Sequence, residues 1–105
     1  MAQPRLCPDV TVWEMSQLSY SPEADAALTD LERDVARAAL LNTTVGVLAA
    51  IAAEPGSADV RRRVYHVDGR AVFGVPYRTH DDDWLVMWEP DHDGPIIMYV
   101  GPDLP

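Results

Sequence analysis

The chain contains no lysine, and its eight arginines stand against 17 aspartates and glutamates, which leaves a formal net charge of −9. So acidic a protein repels the phosphates of nucleic acid at long range, which excludes binding through bulk charge alone. A local cluster of cations can still act, because the field of an exposed charge decays over about 8 Å at physiological salt. The positions of the few basic residues are therefore informative.

The chain also has a single cysteine, Cys7, which excludes an intramolecular disulfide. Its first ten residues lack the apolar run of a secretory signal. Its most apolar stretch, residues 36–53, includes Asn42 and two threonines and predicts a buried helix rather than a membrane span. We therefore expect a cytoplasmic protein with no membrane partner.

Several enzyme signatures are missing from the sequence: a nucleophile elbow, a phosphate-cradling glycine loop, a Cys–His pair and a dinucleotide fingerprint. Two turns carry acids with histidine, "HDDD" at 80–83 and "DHD" at 91–93. Their spacing matches no EF-hand or zinc pattern, so we expect neither a metal site nor a cofactor. A length of 105 residues with 48% hydrophobic residues predicts one folded domain over residues 1–105.

The first half of the chain predicts a strand followed by helices. Residues 9–20 ("DVTVWEMSQLSY") are rich in β-branched and aromatic residues and predict the first strand. Ser21 is a helix cap followed by proline, and apolar residues then recur every three or four positions. A break near Arg33–Asp34 or at Asn42–Thr44 would give a helical hairpin, and one long bent helix is the alternative.

The second half changes to strand-like periods after "EPGSAD" at 54–59 ends the helical region. The dipeptide Asp68–Gly69 joins "RRRVYHV" to "RAVFGVPYRT" as a hairpin, in which Gly74 and Pro76 indicate a bulge or an edge. The segments "DWLVMWE" and "IIMYVG" predict a central strand and a last strand. The resulting order, β-α-α-β-β-β, predicts an α+β fold with a helical hairpin packed on one face of an antiparallel sheet.

Five of the eight arginines lie between Val60 and His80, in the predicted hairpin. Because alternate side chains of a strand share a face, Arg61, Arg63 and Tyr65 are expected on one face and Val64 on the other. If Val64 faces the helices, those arginines line the open face, and Arg78 joins them to bind phosphate. The alternative is that each arginine pairs with one of the more numerous carboxylates.

Histidines and aromatic residues lie near these arginines. His80 follows Tyr77 and Arg78 and is the best general acid/base candidate, although a solvated turn is the alternative. The predicted central strand is apolar on both faces. If Leu85 and Met87 face the helices, then Trp84 and Trp88 point outward and indicate a surface for a protein partner or for bases.

The segment "YSPEADAALTDL" (20–31), the element order and the arginine-bearing hairpin resemble the RelE/ParE superfamily of bacterial toxin–antitoxin toxins. The resemblance implies a helical hairpin on an antiparallel sheet and an antitoxin protein as partner. Some members are endoribonucleases that cleave mRNA on the ribosome, binding phosphates with basic residues and moving protons with Tyr, His or Glu. Carried over by element, these roles fall to Arg61, Arg63, Arg78 and Tyr99.

Two functional hypotheses follow. In the first, the chain is a toxin of this kind that acts on RNA or on a protein. Its catalytic residues would be Arg61, Arg78, His80 and Tyr99, and its substrate-binding residues would be Arg63, Tyr65, Tyr77, Trp84 and Trp88. In the second, the chain is a non-catalytic domain of the same fold that binds a protein, or a second copy of itself, through the sheet face bearing the tryptophans.

Overall fold

The computed structural model describes residues 18–103. The elements are β1 (Ser19–Tyr20), α1 (Pro22–Arg33), α2 (Ala38–Ala53), β2 (Arg63–Val67), β3 (Arg70–Arg78), β4 (Asp83–Glu89) and β5 (Ile96–Pro102), with short 3-10 helices at Val35–Arg37 and Ala58–Val60. The α+β class is confirmed. Four strands follow the helices and correspond to the four predicted segments, whereas the predicted order β-α-α-β-β-β counts only three.

The strands form one five-stranded sheet in the order β1-β5-β4-β3-β2. Strands β2 to β5 are antiparallel, but β1 runs parallel to β5, so the sheet is mixed and the prediction of an antiparallel sheet was wrong at this edge. Parallel neighbours cannot be joined by a tight turn, and the connection from β1 to β5 is long, because it contains both helices and strands β2 to β4. Most of the predicted first strand, Asp9–Tyr20, lies outside the described residues.

Helix α1 begins where its cap predicts. The Ser21 hydroxyl accepts a hydrogen bond from the backbone N–H of Ala24 at 3.1 Å and donates one to the carbonyl of Met98 in β5 at 3.0 Å. The helix ends at Arg33, and the Asp34 carboxylate accepts from the N–H of Ala36 at 3.2 Å. The predicted break at Arg33–Asp34 is confirmed, and the alternative at Asn42–Thr44 lies inside α2.

Helix α2 buries a single stripe, and the fully buried residues of that stripe are Leu40, Thr44, Leu48 and Ile51. The expectation of a deeply buried helix was therefore wrong, because the sheet covers it on one side. The stretch Val35–Ala53 is long and apolar enough to cross a membrane by length and composition alone. That criterion is weak here, because a core helix of a soluble protein meets it as well.

The hydrophobic core lies between the two helices and one face of the sheet, the helix face. Residues from the three inner strands, Val75, Trp84, Val86, Trp88, Ile97 and Val100, pack there with Leu31 of α1 and with Leu40 and Leu48 of α2. The opposite face of the sheet is called the outer face below.

Gly74 and Pro76 produce no bulge, because β3 and β4 stay in register from Phe73 to Arg78. The alternative, that Pro76 marks an edge, agrees with the structure. Pairing between β2 and β3 ends at Arg63 and Gly74, so Pro76 has a neighbouring strand on one side only. The sheet's irregularity lies elsewhere, where a register shift at Met87/Trp88 leaves Met98 as an extra residue in β5.

Candidate functional site

Both tryptophans of β4 belong to the helix face. Trp88 is fully buried and Trp84 is 8% exposed, and the indole Nε1–H of Trp88 donates to the carbonyl of Val60 at 2.7 Å. The register pairs Trp84 with Tyr77 and Trp88 with Phe73, so Leu85 and Met87 point to the outer face. The prediction that the tryptophans point outward was wrong, and they form neither a platform for bases nor a protein-binding surface.

Arg61 also lies on the helix side, away from Arg63. It ends the 3-10 helix Ala58–Val60, before β2 begins. Its Nε–H donates to the carbonyl of Pro55 at 2.7 Å, and its guanidinium carbon lies 4.4 Å from the ring centre of Phe73. The predicted alignment of Arg61, Arg63 and Tyr65 on one strand face was therefore wrong, and Arg61 stacks on an aromatic ring of the core.

Arg63 does lie on the outer face, with Tyr65. Its guanidinium donates to both carboxylate oxygens of Asp103, at 2.7 and 3.2 Å, and to the Tyr65 hydroxyl at 3.4 Å. These hydrogen bonds raise the pKa of the Arg63 guanidinium above its ordinary value. A bidentate pair of this kind holds the side chain in one orientation. The alternative prediction, that arginines pair with carboxylates, is confirmed at this position.

The other arginines of the outer face are paired as well. Arg78 donates from Nε to Asp83 at 2.5 Å, and Arg70 donates to Glu89 at 3.0 Å. The Arg78 side chain nevertheless remains 79% exposed. Its Nε is the atom bound to Asp83, so its two terminal nitrogens still face outward as donors in a planar fork.

A groove at one end of the sheet brings several of these residues together. It measures about 350 Å³, and we call it the arginine groove. Its lining residues are Arg62, Arg63, Pro76, Tyr77, Arg78, Asp83 and Asp103. Three arginines against two aspartates make the groove formally positive in a chain of net charge −9. Of the predicted site residues, Arg63, Tyr77 and Arg78 meet here.

Tyr77 is one of the lining residues of the groove, but its side chain belongs to the helix face and its hydroxyl lies in the core. The hydroxyl lies 2.7 Å from Oγ1 of Thr44 in α2, and Oγ1 itself donates to the carbonyl of Leu40 at 2.8 Å. The Tyr77 hydroxyl is therefore the donor to Thr44. Burial raises the pKa of Tyr77 to about 12, so the phenol is a poor proton donor or acceptor for chemistry at neutral pH.

The remaining predicted residues, Tyr65, His80 and Tyr99, do not line the groove. Tyr65 lies across Gly74 on the outer face, where a Cβ on Gly74 would come within 2.7 Å of the tyrosine ring. Tyr99 covers Gly101 in the same way, and its hydroxyl donates to the carbonyl of Pro102 at 2.8 Å. His80 is exposed in the turn between β3 and β4, as the alternative of a solvated turn predicts.

One group of potential metal ligands occurs among residues 18–103. The ligand atoms of Asp91, His92 and Asp93 lie within 4.8 Å of one another in the loop between β4 and β5. All three residues are exposed, and His92 is 3.4 Å from Asp93 and 3.6 Å from Asp91. Acidic loops of this kind are common on protein surfaces and do not by themselves make a site.

Sequence patterns missed four residues of the groove. Arg62 was not among the predicted site residues, and it precedes β2 and donates to the carbonyl of Pro76 at 3.4 Å. Asp83 was assigned only to the "HDDD" turn and to the start of the strand that follows it, Pro76 only to a bulge or an edge, and Asp103 was not singled out. One sequence signal could have found Asp83. Strand β3 ends at Arg78 and β4 begins at Asp83, and consecutive antiparallel strands bring such ends together.

No family model matches the chain, and neither a curated protein nor a solved structure is significantly similar to it.

Proposed function

We propose that the chain is a RelE/ParE-like protein that acts by binding a protein partner, and that the arginine groove receives a carboxylate of that partner. Its element order, with a strand and two helices before an antiparallel series of strands, agrees with what the resemblance implies. An antitoxin is the partner that the resemblance implies, and the proposed compartment is the cytoplasm.

The arginine groove carries this proposal. The terminal nitrogens of Arg78 extend from a side chain that Asp83 already orients through Nε. Arg62 adds a second exposed arginine to the lining of the groove. A carboxylate placed between them would accept charge-assisted hydrogen bonds, which are stronger than neutral ones and are bidentate when an arginine is the donor.

The mixed charge of the groove favours a protein over RNA. Asp83 and Asp103 line it beside the arginines, so it offers contacts of both signs to a segment that carries acidic and basic residues. A phosphate backbone carries one sign only, and each phosphate would meet these carboxylates and the net charge of −9.

Cleavage of ribosome-bound mRNA stays as the second candidate, because the arginines outnumber the acids in the groove. Its proposed catalytic set is Arg61, Arg78, His80 and Tyr99. These four belong to different places: Arg61 stacks on Phe73 at the helix face, while the Tyr99 hydroxyl is bound to Pro102. A catalytic role would require them to move together on the ribosome.

The binding proposal can be tested by NMR with two probes, a peptide of alternating Glu and Lys and an RNA oligonucleotide. We expect the peptide to shift the side-chain Nε–H signals of Arg62 and Arg78 and to leave that of Arg33, an exposed arginine of α1, unchanged. The double variant Arg62→Ala with Arg78→Ala should weaken peptide binding about tenfold or more, because two charge-assisted contacts are lost. Arg33→Ala is the matched control.

Induced expression in a bacterial host separates the two candidates. We expect growth arrest without cleavage of ribosome-bound mRNA, and we expect the Arg62→Ala, Arg78→Ala variant to relieve that arrest. Cleavage that disappears with Arg61→Ala and Arg78→Ala would instead establish the second candidate. Normal growth, together with unchanged NMR spectra for both probes, would reject both.

A further inference from the structure

The two edges of the sheet differ in how they are protected against pairing with another chain. At one edge, β1 is two residues long, and β5 carries an extra residue at Met98 and ends in Pro102. Short strands, bulges and proline are the means by which proteins block edge pairing. At the other edge, β2 has none of these, and its five residues pair with β3 in unbroken register.

Strand β2 also exposes apolar side chains. Three large hydrophobic residues are exposed among residues 18–103, and two of them, Val64 (54%) and Val67 (42%), lie on β2. The third, Val35 (90%), lies in the 3-10 helix between α1 and α2. An unprotected edge with exposed valines is the kind of strand to which another strand adds.

The hairpin turn establishes which backbone groups of β2 are available. Asp68 and Gly69 both have positive φ, 52° and 80°, as in a two-residue type I′ turn. In such a hairpin the residues that flank the turn, Val67 and Arg70, are a hydrogen-bonded pair, and hydrogen bonding alternates along the ladder. Val67, Tyr65 and Arg63 therefore bond to β3. The N–H and C=O groups of Val64 and His66 point to the free edge.

We propose that β2 pairs antiparallel with β2 of a second copy of this chain, about a twofold axis at Tyr65. In this register Val64 exchanges two backbone hydrogen bonds with His66 of the second copy, and Tyr65 lies opposite Tyr65. Val67 is covered by the stem of Arg63 from the second copy. The two sheets become one continuous sheet of ten strands, with the isologous contact of a twofold dimer.

Charge along the strand selects this partner and this register. Arg62 stands two residues before Val64, and Asp68 stands two residues after His66. The pairing of Val64 with His66 brings Arg62, which precedes β2, to the side of Asp68 in the hairpin turn of the other copy, so the two ends of the paired strands are complementary in charge. If two copies of β2 paired in parallel and in register, each arginine or aspartate would lie beside the same residue of the other copy, and these like charges would repel each other. The interface is one strand wide, which makes it a weak, concentration-dependent dimer. Arg62 also lines the arginine groove, but the backbone pairing of β2 requires no ligand there.

Sedimentation velocity over a concentration series tests the dimer. We expect the average mass of the wild-type chain to rise towards that of a dimer and Val64→Glu to remain a monomer throughout. Val35→Glu makes the same change at a more exposed valine away from β2 and should dimerise like the wild type. A wild-type monomer at every concentration overturns the proposal, as does dimerisation by Val64→Glu. An equal loss of dimerisation in Val35→Glu overturns it as well.

Disulfide trapping tests the register in a chain that still folds. Because Tyr65 lies opposite its own copy, Tyr65→Cys in a Cys7→Ser background should form a crosslinked dimer under mild oxidation. Val67→Cys in the same background lies opposite Arg63 and should crosslink far less. Circular dichroism confirms that both variants are folded. Equal crosslinking of the two variants, or more from Val67→Cys, would show that the proposed register is wrong.

Discussion

At the scale of single residues, one hydroxyl pair joins the helices to the sheet. The Tyr77 hydroxyl donates to Oγ1 of Thr44, which is fully buried and donates in turn to the carbonyl of Leu40. A buried polar group is tolerated when it is hydrogen-bonded, and Thr44 meets that condition through both partners. The pair connects α2 to β3 across the core and fixes the Tyr77 side chain on the helix face of the sheet.

We predict that Tyr77→Phe and Thr44→Val each lower the free energy of unfolding by about 1 kcal/mol, the usual net value of an intramolecular hydrogen bond. The double variant should lose less than the sum of the two single changes, because both remove the same interaction. Urea denaturation of the four proteins measures this. Strictly additive losses would show that the hydroxyls do not interact in solution.

The same tyrosine predicts how stability depends on alkaline pH. The pKa of Tyr77 is about 12 in the folded protein against an ordinary value of 10.0, because burial disfavours the phenolate. Between these values the folded state holds more protons than the unfolded state, so stability is fully present below pH 10.0 and falls as pH rises towards about 12.

Urea midpoints measured from pH 9 to pH 11 should show this fall, and Tyr77→Phe should reduce it. Burial also raises the pKa of Tyr20, so the variant should keep a smaller decline of the same sign. An identical pH dependence in wild type and variant would mean that Tyr77 titrates as an exposed tyrosine.

Arginine partners illustrate what a sequence conceals at this scale. The excess of carboxylates predicts that arginines will be paired, and Arg63 and Arg78 are. The identity of each partner depends on the sheet: Asp103 is 40 residues from Arg63 in the chain and reaches it because β5 ends beside the same groove. The number of charged residues in the sequence does not show which of them the fold brings together.

At the scale of elements, local chemistry located most boundaries. The Ser21 cap, the break after Arg33 and the turn at Asp68–Gly69 are each determined by residues within a few positions of them, and all three predictions are confirmed. Strand orientation was not local. Strand β1 pairs in parallel with β5, which lies some 77 residues later in the chain, and the Ser21 hydroxyl donates to the carbonyl of Met98 in that strand.

Two glycines of these elements should respond oppositely to alanine. Gly46 lies in α2, and a Cβ there would meet nothing within 4 Å, so Gly46→Ala should stabilise the protein by about 0.5 to 1 kcal/mol through higher helix propensity. At Gly74 a Cβ would lie 2.7 Å from the Tyr65 ring and 3.3 Å from Leu85, so Gly74→Ala should destabilise it by about 1 to 3 kcal/mol.

Thermal and urea denaturation of both variants test this pair of effects. In a Tyr65→Ala background the cost of Gly74→Ala should shrink, because the closest contact has been removed. If Gly74→Ala lowers the free energy of unfolding as much in that background as in the wild type, the added Cβ clashes with the strand or with Leu85 rather than with Tyr65.

At the scale of the whole molecule, the net charge of −9 dominates. Carboxylates outnumber arginines, so the folded chain repels itself, and salt should screen that repulsion. We predict that the free energy of unfolding rises as NaCl increases from about 10 mM to about 150 mM, over which the Debye length shortens to about 8 Å.

A variant with two exposed acids neutralised, Glu32→Gln with Asp81→Asn, should show a shallower salt dependence when measured by urea denaturation. A fall in stability with salt would contradict the prediction. It would show that ion pairs such as those of Arg63 and Arg78 outweigh the general repulsion.

The sequence by itself determined the α+β class, the start of α1 and the hairpin turn, because caps and turn residues act over one or two turns of backbone. It left the break between the helices open, and the structure placed that break after Arg33. The sequence also placed the excess of arginine in the hairpin. Which side of the sheet the helices cover was decided only by the tertiary structure. Strand β4 is apolar on both faces, so either Trp84 and Trp88 or Leu85 and Met87 satisfied the pattern equally well. Packing of the larger aromatic residues in the core with residues of both helices settled that choice, and with it which arginines meet in a groove and which are separated by the sheet.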